Sequence, residues 1–179
     1  MRILIAGALA GLAMFLWSGL ANLALPLGTA GLSKAPDERG ALAVLGGAFA
    51  HRSGMYVIPF SAMSGKAPPG SSAVVVYQGQ GEPFGVTPPK LAAELAVELV
   101  LSILAAALLA LTRLRGYWPR VGFVVGLGVF AAGMTNASNT IWFDFPPAYG
   151  AGYATIQLIG FLIAGLVIAA LVKPRAEAA

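Results

Sequence analysis

Four long apolar segments divide this chain, and a large polar segment separates the first two. The apolar segments cover residues 3–25, 91–112, 121–142 and 152–172. A helix needs about 20 apolar residues to cross a hydrocarbon core of about 30 Å, and each segment reaches that length. The pattern predicts an all-α membrane protein, in which a bundle of four transmembrane helices forms a single membrane domain over residues 1–179.

The polar segment, residues 28–90, is too rich in proline and glycine to enter the bilayer and is predicted to lie outside it. Within this outer loop, Pro36 followed by two acidic residues is typical of a first helical turn, so a short amphipathic helix is expected to end near Ala50. Two β-rich runs, residues 55–60 and 73–78, flank a stretch of Gly, Pro and Ser. They predict a β-hairpin.

Small and polar residues recur on one face of each predicted helix. The first helix has a GxxxG motif at Gly7 and Gly11. In the third helix a regular face is spaced at steps of four and three and consists of Gly122, Gly126, Val129, Gly133, Asn136 and Thr140. Small residues let helix backbones approach closely. We interpret these faces as packing surfaces within the bundle and not as a dimer interface.

Two acidic residues lie inside the second predicted helix. Glu94 and Glu98 are four residues apart, so they share one helix face, which Ser102 continues inward. An ionisable group in hydrocarbon is costly and usually faces the bundle interior or a water-filled cavity. Glu98 is the deeper of the two, about 11–12 Å below the outer boundary at a rise of about 1.5 Å per residue.

Amide side chains of the other helices fall nearer the outer boundary, roughly 3–10 Å below it. Together with the two acids they form a candidate binding layer, which comprises Glu98, Glu94, Asn136, Asn139, Asn22 and Gln157. One interpretation is structural, with interhelical hydrogen bonds worth roughly 0.6 kcal/mol each. The other is that Glu98, assisted by Glu94 and the asparagines, binds a proton, a cation or an amine-bearing solute.

The basic residues in the short segments all fall on one side of the predicted membrane. They are Arg2, Arg113, Arg115, Arg120, Lys173 and Arg175. Because Lys and Arg in short loops mark the cytoplasmic side, both termini are expected inside the cell and the 28–90 loop outside. The net charge of +4 thus reflects residues that flank the spans, and we predict no nucleic-acid partner.

Composition excludes several kinds of site. The chain has no cysteine, which rules out disulfides, thiolate catalysis and cysteine-held metal clusters. The only histidine, His51, cannot form a bis-histidine haem site or a histidine-rich zinc site. There is also no P-loop, dinucleotide fingerprint or HExxH motif. We therefore predict no cofactor, no metal and no catalytic residue.

Four stretches resemble a group of small bacterial integral membrane proteins of no known activity. The stretches are Leu25–Gly31, Tyr56 with Pro59, Val75–Tyr77, and Pro88–Glu94. The resemblance covers most of the chain and implies a multi-pass protein of the bacterial cytoplasmic membrane. The four spans and the large first loop also look like claudin-type proteins, but in topology alone, since the paired cysteines of that loop are absent here.

Two classes of function remain open. The favoured one is a non-catalytic accessory or scaffolding subunit of a membrane complex, whose outer loop docks to a partner membrane protein. It is favoured because the sequence shows no broken helices and no inverted repeat. The alternative is a small carrier or solute-binding protein with its site around Glu98. An enzyme acting on lipid is least supported, because carboxylates alone are weak signs of acid–base chemistry.

Overall fold

A computed structural model describes residues 1–66, 69–79 and 84–173. These residues divide into two compact units, which are described separately. The helical unit comprises Met1–Leu32 and the chain from Thr87 onward, and the excursion unit comprises Ser33–Val86. In chain order the elements are α1 (Arg2–Leu23), α2 (Glu38–Ala48), β1 (Gly54–Ile58), a 3₁₀-helix (Phe60–Ser64), β2 (Ala73–Tyr77), α3 (Pro88–Leu111), α4 (Tyr117–Ala132), a π-helix (Gly133–Ala137), α5 (Ser138–Phe143) and α6 (Pro147–Leu171).

Four helices are long and apolar enough to cross a membrane, which confirms the predicted class. They are Arg2–Leu23, Pro88–Leu111, Tyr117–Phe143 and Pro147–Leu171. The last begins five residues before the predicted boundary at residue 152, because Pro147 suits the first turn of a helix. The connection before it shrinks to three residues, beginning with Asp144 in the left-handed region.

The third span stays helical throughout, but it is not the regular α-helix that the spacing predicted. Residues Gly133–Ala137 form a π-helix, which joins α4 to α5. A π turn holds one more residue than an α turn, so every later side chain is rotated by about one residue, or roughly 100°, relative to α4. A face that is continuous in the sequence is therefore split at this point.

Helices α1 and α6 form the middle of the helical unit. Helix α1 packs against α3 and α6, α4 packs against α6, and α3 and α4 have few contacts. A Cβ atom added to Gly7 would lie 2.5 Å from Ile103 Cα, and one added to Gly11 would lie 2.8 Å from the carbonyl oxygen of Glu98. The backbones of α1 and α3 are thus in contact, which confirms intramolecular packing for this GxxxG motif.

The predicted packing face of α4 was wrong. A Cβ atom added to Gly122, Gly126 or Gly133 would meet no atom within 4 Å, and Val129 is 57% exposed. The residues of α4 that are buried are Arg120, Val121, Val124, Gly128 and Ala132. This buried face makes the contact with α6, where Val121 and Val124 pack on Gly165 and Gly128 packs on Phe161. After the π-helix, Asn136 also reaches α6. The spacing had assigned Asn136 and Thr140 to the same face as the three glycines.

The two ends of the helical unit differ in charge. One end, which we term the basic end, contains the first residues of α1 and α4 and the last residues of α3 and α6. The other end, which we term the loop end, contains the last residues of α1 and α5 and the first residues of α3 and α6. Arg120, predicted to flank its span, lies within α4, is 6% exposed, and donates a hydrogen bond to the carbonyl oxygen of Val172. Tyr117 donates to the carbonyl oxygen of Leu166 at 3.0 Å. Arg175 lies outside the described residues.

The excursion unit contains the short helix and both predicted strands. Asp37 caps α2 by accepting a hydrogen bond from the Gly40 amide at 2.9 Å. Strands β1 and β2 pair antiparallel, with Tyr56 opposite Val75. The ring of Phe49, at the end of α2, stacks on Tyr56 at 3.7 Å and forms a small aromatic core. Residues 67 and 68 of the predicted turn lie outside the described residues.

Candidate functional site

The predicted acidic residues lie on α3 where it faces α1 and the start of α6. Glu94 is exposed, whereas Glu98 is half-buried one turn deeper. The Glu98 Oε2 atom is shielded from solvent and, among the described residues, accepts no hydrogen bond. Glu94 and Glu98 are four residues apart on α3, so the two carboxyl groups share one helix face.

A carboxyl group in this position has few ways to be stabilised. Burying a carboxylate oxygen without a hydrogen bond is costly, so the group must be neutral or have a positive partner. The part of the chain that the structure describes holds no cluster of three His, Asp or Glu side chains that could bind a metal ion. Chemically, the Glu98 carboxyl can hold a proton or pair with a single positive charge.

The structure brings together one pair of predicted amide residues. Asn136 Nδ2 donates a hydrogen bond to Gln157 Oε1 at 2.8 Å, and also to the carbonyl oxygen of Ala132 at 3.0 Å. Thr140 donates to the carbonyl oxygen of Asn136 at 3.0 Å. Asn136 and Gln157 therefore form an interhelical hydrogen bond of the kind that the structural interpretation expects.

Asn22 and Asn139 contribute differently. Asn22 Nδ2 donates to the carbonyl oxygen of Ser18 at 2.9 Å, so its amide is used within α1. Asn139 is half-buried on α5. The predicted layer of six residues therefore consists of the two acids of α3, one hydrogen-bonded amide pair, and two asparagines that the structure does not join to either group.

Sequence reasoning missed several contacts near the acids. The rings of Tyr149 and Tyr153 lie 4.6 Å apart on α6. Ser102 donates to the Met14 sulfur at 3.2 Å, and Trp17 donates to the carbonyl oxygen of Ile156 at 2.9 Å. The four-residue spacing of the two tyrosines signals a shared helix face. The contacts of Ser102 and Trp17 leave no local signal, because their partners lie on other helices.

The excursion unit has a second candidate surface on one side of its sheet. One face of the sheet holds Tyr56 and packs on Phe49. The opposite face, which we term the docking face, consists of Met55, Val57, Val74 and Val76, paired as Met55 with Val76 and Val57 with Val74. Met55 and Val76 are 55% and 60% exposed. Val57 and Val74 are half-buried, so the docking face is apolar and is open at its Met55–Val76 end.

No protein-family model, curated protein or solved structure matches this chain. The resemblance to small bacterial integral membrane proteins therefore stays a prediction, and the function rests on the two candidate surfaces.

Proposed function

We propose that this protein is a multi-pass component of the bacterial cytoplasmic membrane that acts as a non-catalytic accessory or scaffolding subunit. In this proposal the four spans form a helix bundle with both termini in the cytoplasm. The excursion unit lies outside, where its β-hairpin binds a partner membrane protein. The apolar docking face, open at Met55 and Val76, is the observation that carries the proposal.

The physical argument is the cost of leaving that face in water. Burying apolar surface contributes about 25 cal/mol per Å². Isolated two-stranded sheets are marginally stable, so a partner that covers one face would also stabilise the pairing of β1 with β2. Adjacent apolar residues left exposed on an extramembrane unit are typical of a protein–protein contact.

The test uses lysine substitutions on the docking face. Full-length protein carrying Met55→Lys or Val76→Lys is crosslinked in cells and purified in mild detergent beside the wild type. Both side chains are already exposed, so the substitutions should leave the fold intact. Ser71→Lys, at an exposed position before β2, is the matched control.

The proposal expects a stoichiometric partner protein with the wild type and with Ser71→Lys, and its loss with either docking-face variant. A partner that survives both docking-face variants would place the contact elsewhere. A wild type that purifies alone, as a monomer or homo-oligomer, would contradict the subunit function and favour the second candidate.

Orientation is tested separately, and the absence of native cysteine makes this simple. Ser64→Cys lies in the excursion unit, and Arg113→Cys lies between α3 and α4. An impermeant thiol reagent added to intact cells should label the first and spare the second. The reverse result would invert the proposed topology.

A second candidate function is a small carrier or solute-binding protein, and the unpartnered Glu98 Oε2 atom favours it. In this function Glu98 binds a cation or an amine-bearing solute, and Glu94 adds negative charge at the more exposed position. Bundle-facing acids of this kind commonly mark ion or solute sites in membrane proteins.

Thermal unfolding in detergent tests this candidate with sodium, potassium and a small alkylammonium ion. A ligand at 100 times its Kd stabilises the folded state by about 2.7 kcal/mol, so binding should raise Tm. The rise should disappear in Glu98→Gln and persist in Glu38→Gln, an exposed control on α2 that lies near Lys34. Equal responses in both variants would exclude a site at Glu98.

A further inference from the structure

A groove runs between α4 and α6 at the loop end of the helical unit. It has a volume of about 510 Å³, within the range of about 300–1,000 Å³ that is usual for ligand sites. Its walls include Val129, Gly133 and Ala137 from the third span, and Ala151, Ala154 and Leu158 from α6. The groove lies entirely along membrane-spanning helices, so the groups available to fill it are those of the hydrocarbon region of the bilayer.

The polar groups in the wall already have partners. Asn136 donates to Gln157 and to Ala132, and Thr140 donates to the Asn136 carbonyl oxygen. The π-helix, a feature often found at functional sites, forms the middle of this wall. An occupant therefore meets a mainly apolar surface on which the side-chain donors of Asn136 and Thr140 are already used.

The length of the groove suits a lipid acyl chain. Along α6 it extends from Pro147 to Leu158, about 17 Å at a rise of about 1.5 Å per residue. That length is close to one leaflet of a hydrocarbon core of about 30 Å. The groove is open along the helices and its lining is mainly apolar, so an acyl chain can enter it from the surrounding hydrocarbon.

The charge at the mouth of the groove selects the headgroup. The connection between Phe143 and Pro147 carries the acidic Asp144 and no basic residue, and Asp144 is exposed. We propose that the α4–α6 groove binds one acyl chain of a phospholipid whose headgroup carries an ammonium group near Asp144. This inference is independent of the proposed partner and of the site at Glu98.

Substitutions that fill the groove test the proposal. Gly133→Leu has open space for its side chain, and Ala151→Leu fills the opposite wall without touching the π-helix. Gly126→Leu and Ala170→Leu are matched controls, since both residues are exposed on the same helices but do not line the groove. Each full-length variant is reconstituted in nanodiscs that contain phosphatidylethanolamine and phosphatidylglycerol. It is then extracted in mild detergent and examined by native mass spectrometry.

The wild type and both controls should retain one phosphatidylethanolamine molecule. In the groove variants retention should fall by roughly tenfold or more, because each leucine side chain fills space that the acyl chain would occupy. Asp144→Asn should keep a bound lipid but lose the preference for phosphatidylethanolamine over phosphatidylglycerol.

A second measurement does not depend on how the variants fold. Phosphatidylethanolamine with a photoreactive group in its acyl chain should crosslink the wild-type protein at Val129, Ile141 and Leu158. Crosslinks spread evenly over all lipid-facing helices would overturn the proposal. So would equal lipid retention in groove and control variants, or a dimer that only the groove variants disrupt.

Discussion

The first and third spans contain the same GxxxG spacing, and the structure uses the two motifs in opposite ways. Gly7 and Gly11 bring α1 into contact with the backbone of α3. A Cβ atom added to Gly122 or Gly126 would have no neighbouring atom within 4 Å, although α4 is also apolar and rich in glycine. The difference lies in the surroundings of each helix. Helix α1 has a large neighbour on two sides, whereas α4 packs mainly on α6.

The comparison shows that a small-residue motif permits close approach without requiring it. Two helices meet closely only where both surfaces are shaped for it, and the partner surface is not encoded in the motif. On α4 the contact with α6 is made by Val121, Val124 and Gly128, which leaves the motif on the open face.

Gly11→Leu should be the most damaging substitution. Its Cβ atom would lie 2.8 Å from the Glu98 carbonyl oxygen and from Leu99 Cα, and backbone atoms cannot move aside as side chains can. We expect α1 and α3 to separate locally and the free energy of unfolding to fall by about 3 kcal/mol, the upper end for overpacking. The measurement is unfolding in mixed micelles followed by circular dichroism. Gly126→Leu should stay within about 0.5 kcal/mol of wild type, and equal losses would refute the comparison.

Arg120→Met should have the next largest effect, because Arg120 connects α4 to the end of α6. The substitution removes the donor to the Val172 carbonyl oxygen, and a buried acceptor left without a partner costs about 1–3 kcal/mol. Arg113→Met is the control, since Arg113 is exposed in the connection that precedes α4. A Tm for Arg120→Met that equals that of the control would show that this contact does not help to hold α4 on α6.

Two alanine substitutions on α4 should change the free energy of unfolding in opposite directions. Gly128→Ala places a Cβ atom 2.5 Å from Phe161 Cβ and should destabilise the protein by about 1 kcal/mol. Gly126→Ala meets no atom and should stabilise it by about 0.5–1 kcal/mol, the usual gain when alanine replaces glycine in a helix. The pair is measured by thermal unfolding under one condition. Destabilisation by Gly126→Ala would indicate that the open face is covered by another molecule.

The smallest predicted effect is the coupling between Asn136 and Gln157. A double-mutant cycle with Asn136→Ala and Gln157→Ala should give a coupling free energy of about 0.6 kcal/mol, the average for interhelical hydrogen bonds in membranes. The matched cycle pairs Asn22→Ala with Gln157→Ala and should return no coupling, since the Asn22 amide bonds to its own helix. Equal couplings in the two cycles would mean that the π-helix does not orient Asn136 specifically.

Local composition predicted the four spans, the short helix and the two strands of this protein, but neither the 3₁₀-helix nor the π-helix. Apolar segments long enough to cross a membrane predicted four spans, the acids after Pro36 predicted a helix start that Asp37 caps, and β-rich runs predicted both strands. In the same way, the four-residue spacing of Glu94 and Glu98 placed both on one face of α3. These features depend on chain length, dihedral preference and periodicity, which neighbouring residues in the chain determine.

Tertiary structure decided which faces meet. Which face of α4 packs on α6 depends on the surface of α6. The π-helix interrupts the periodicity that placed Gly122 and Thr140 on one face in the sequence. The same holds for the unpartnered oxygen of Glu98, the hydrogen bond of Arg120 and the groove beside Asn136. Each depends on atoms from helices far apart in the chain, and in a membrane span almost every face is apolar. Hydrophobic pattern alone therefore cannot distinguish the side that faces protein from the side that faces lipid.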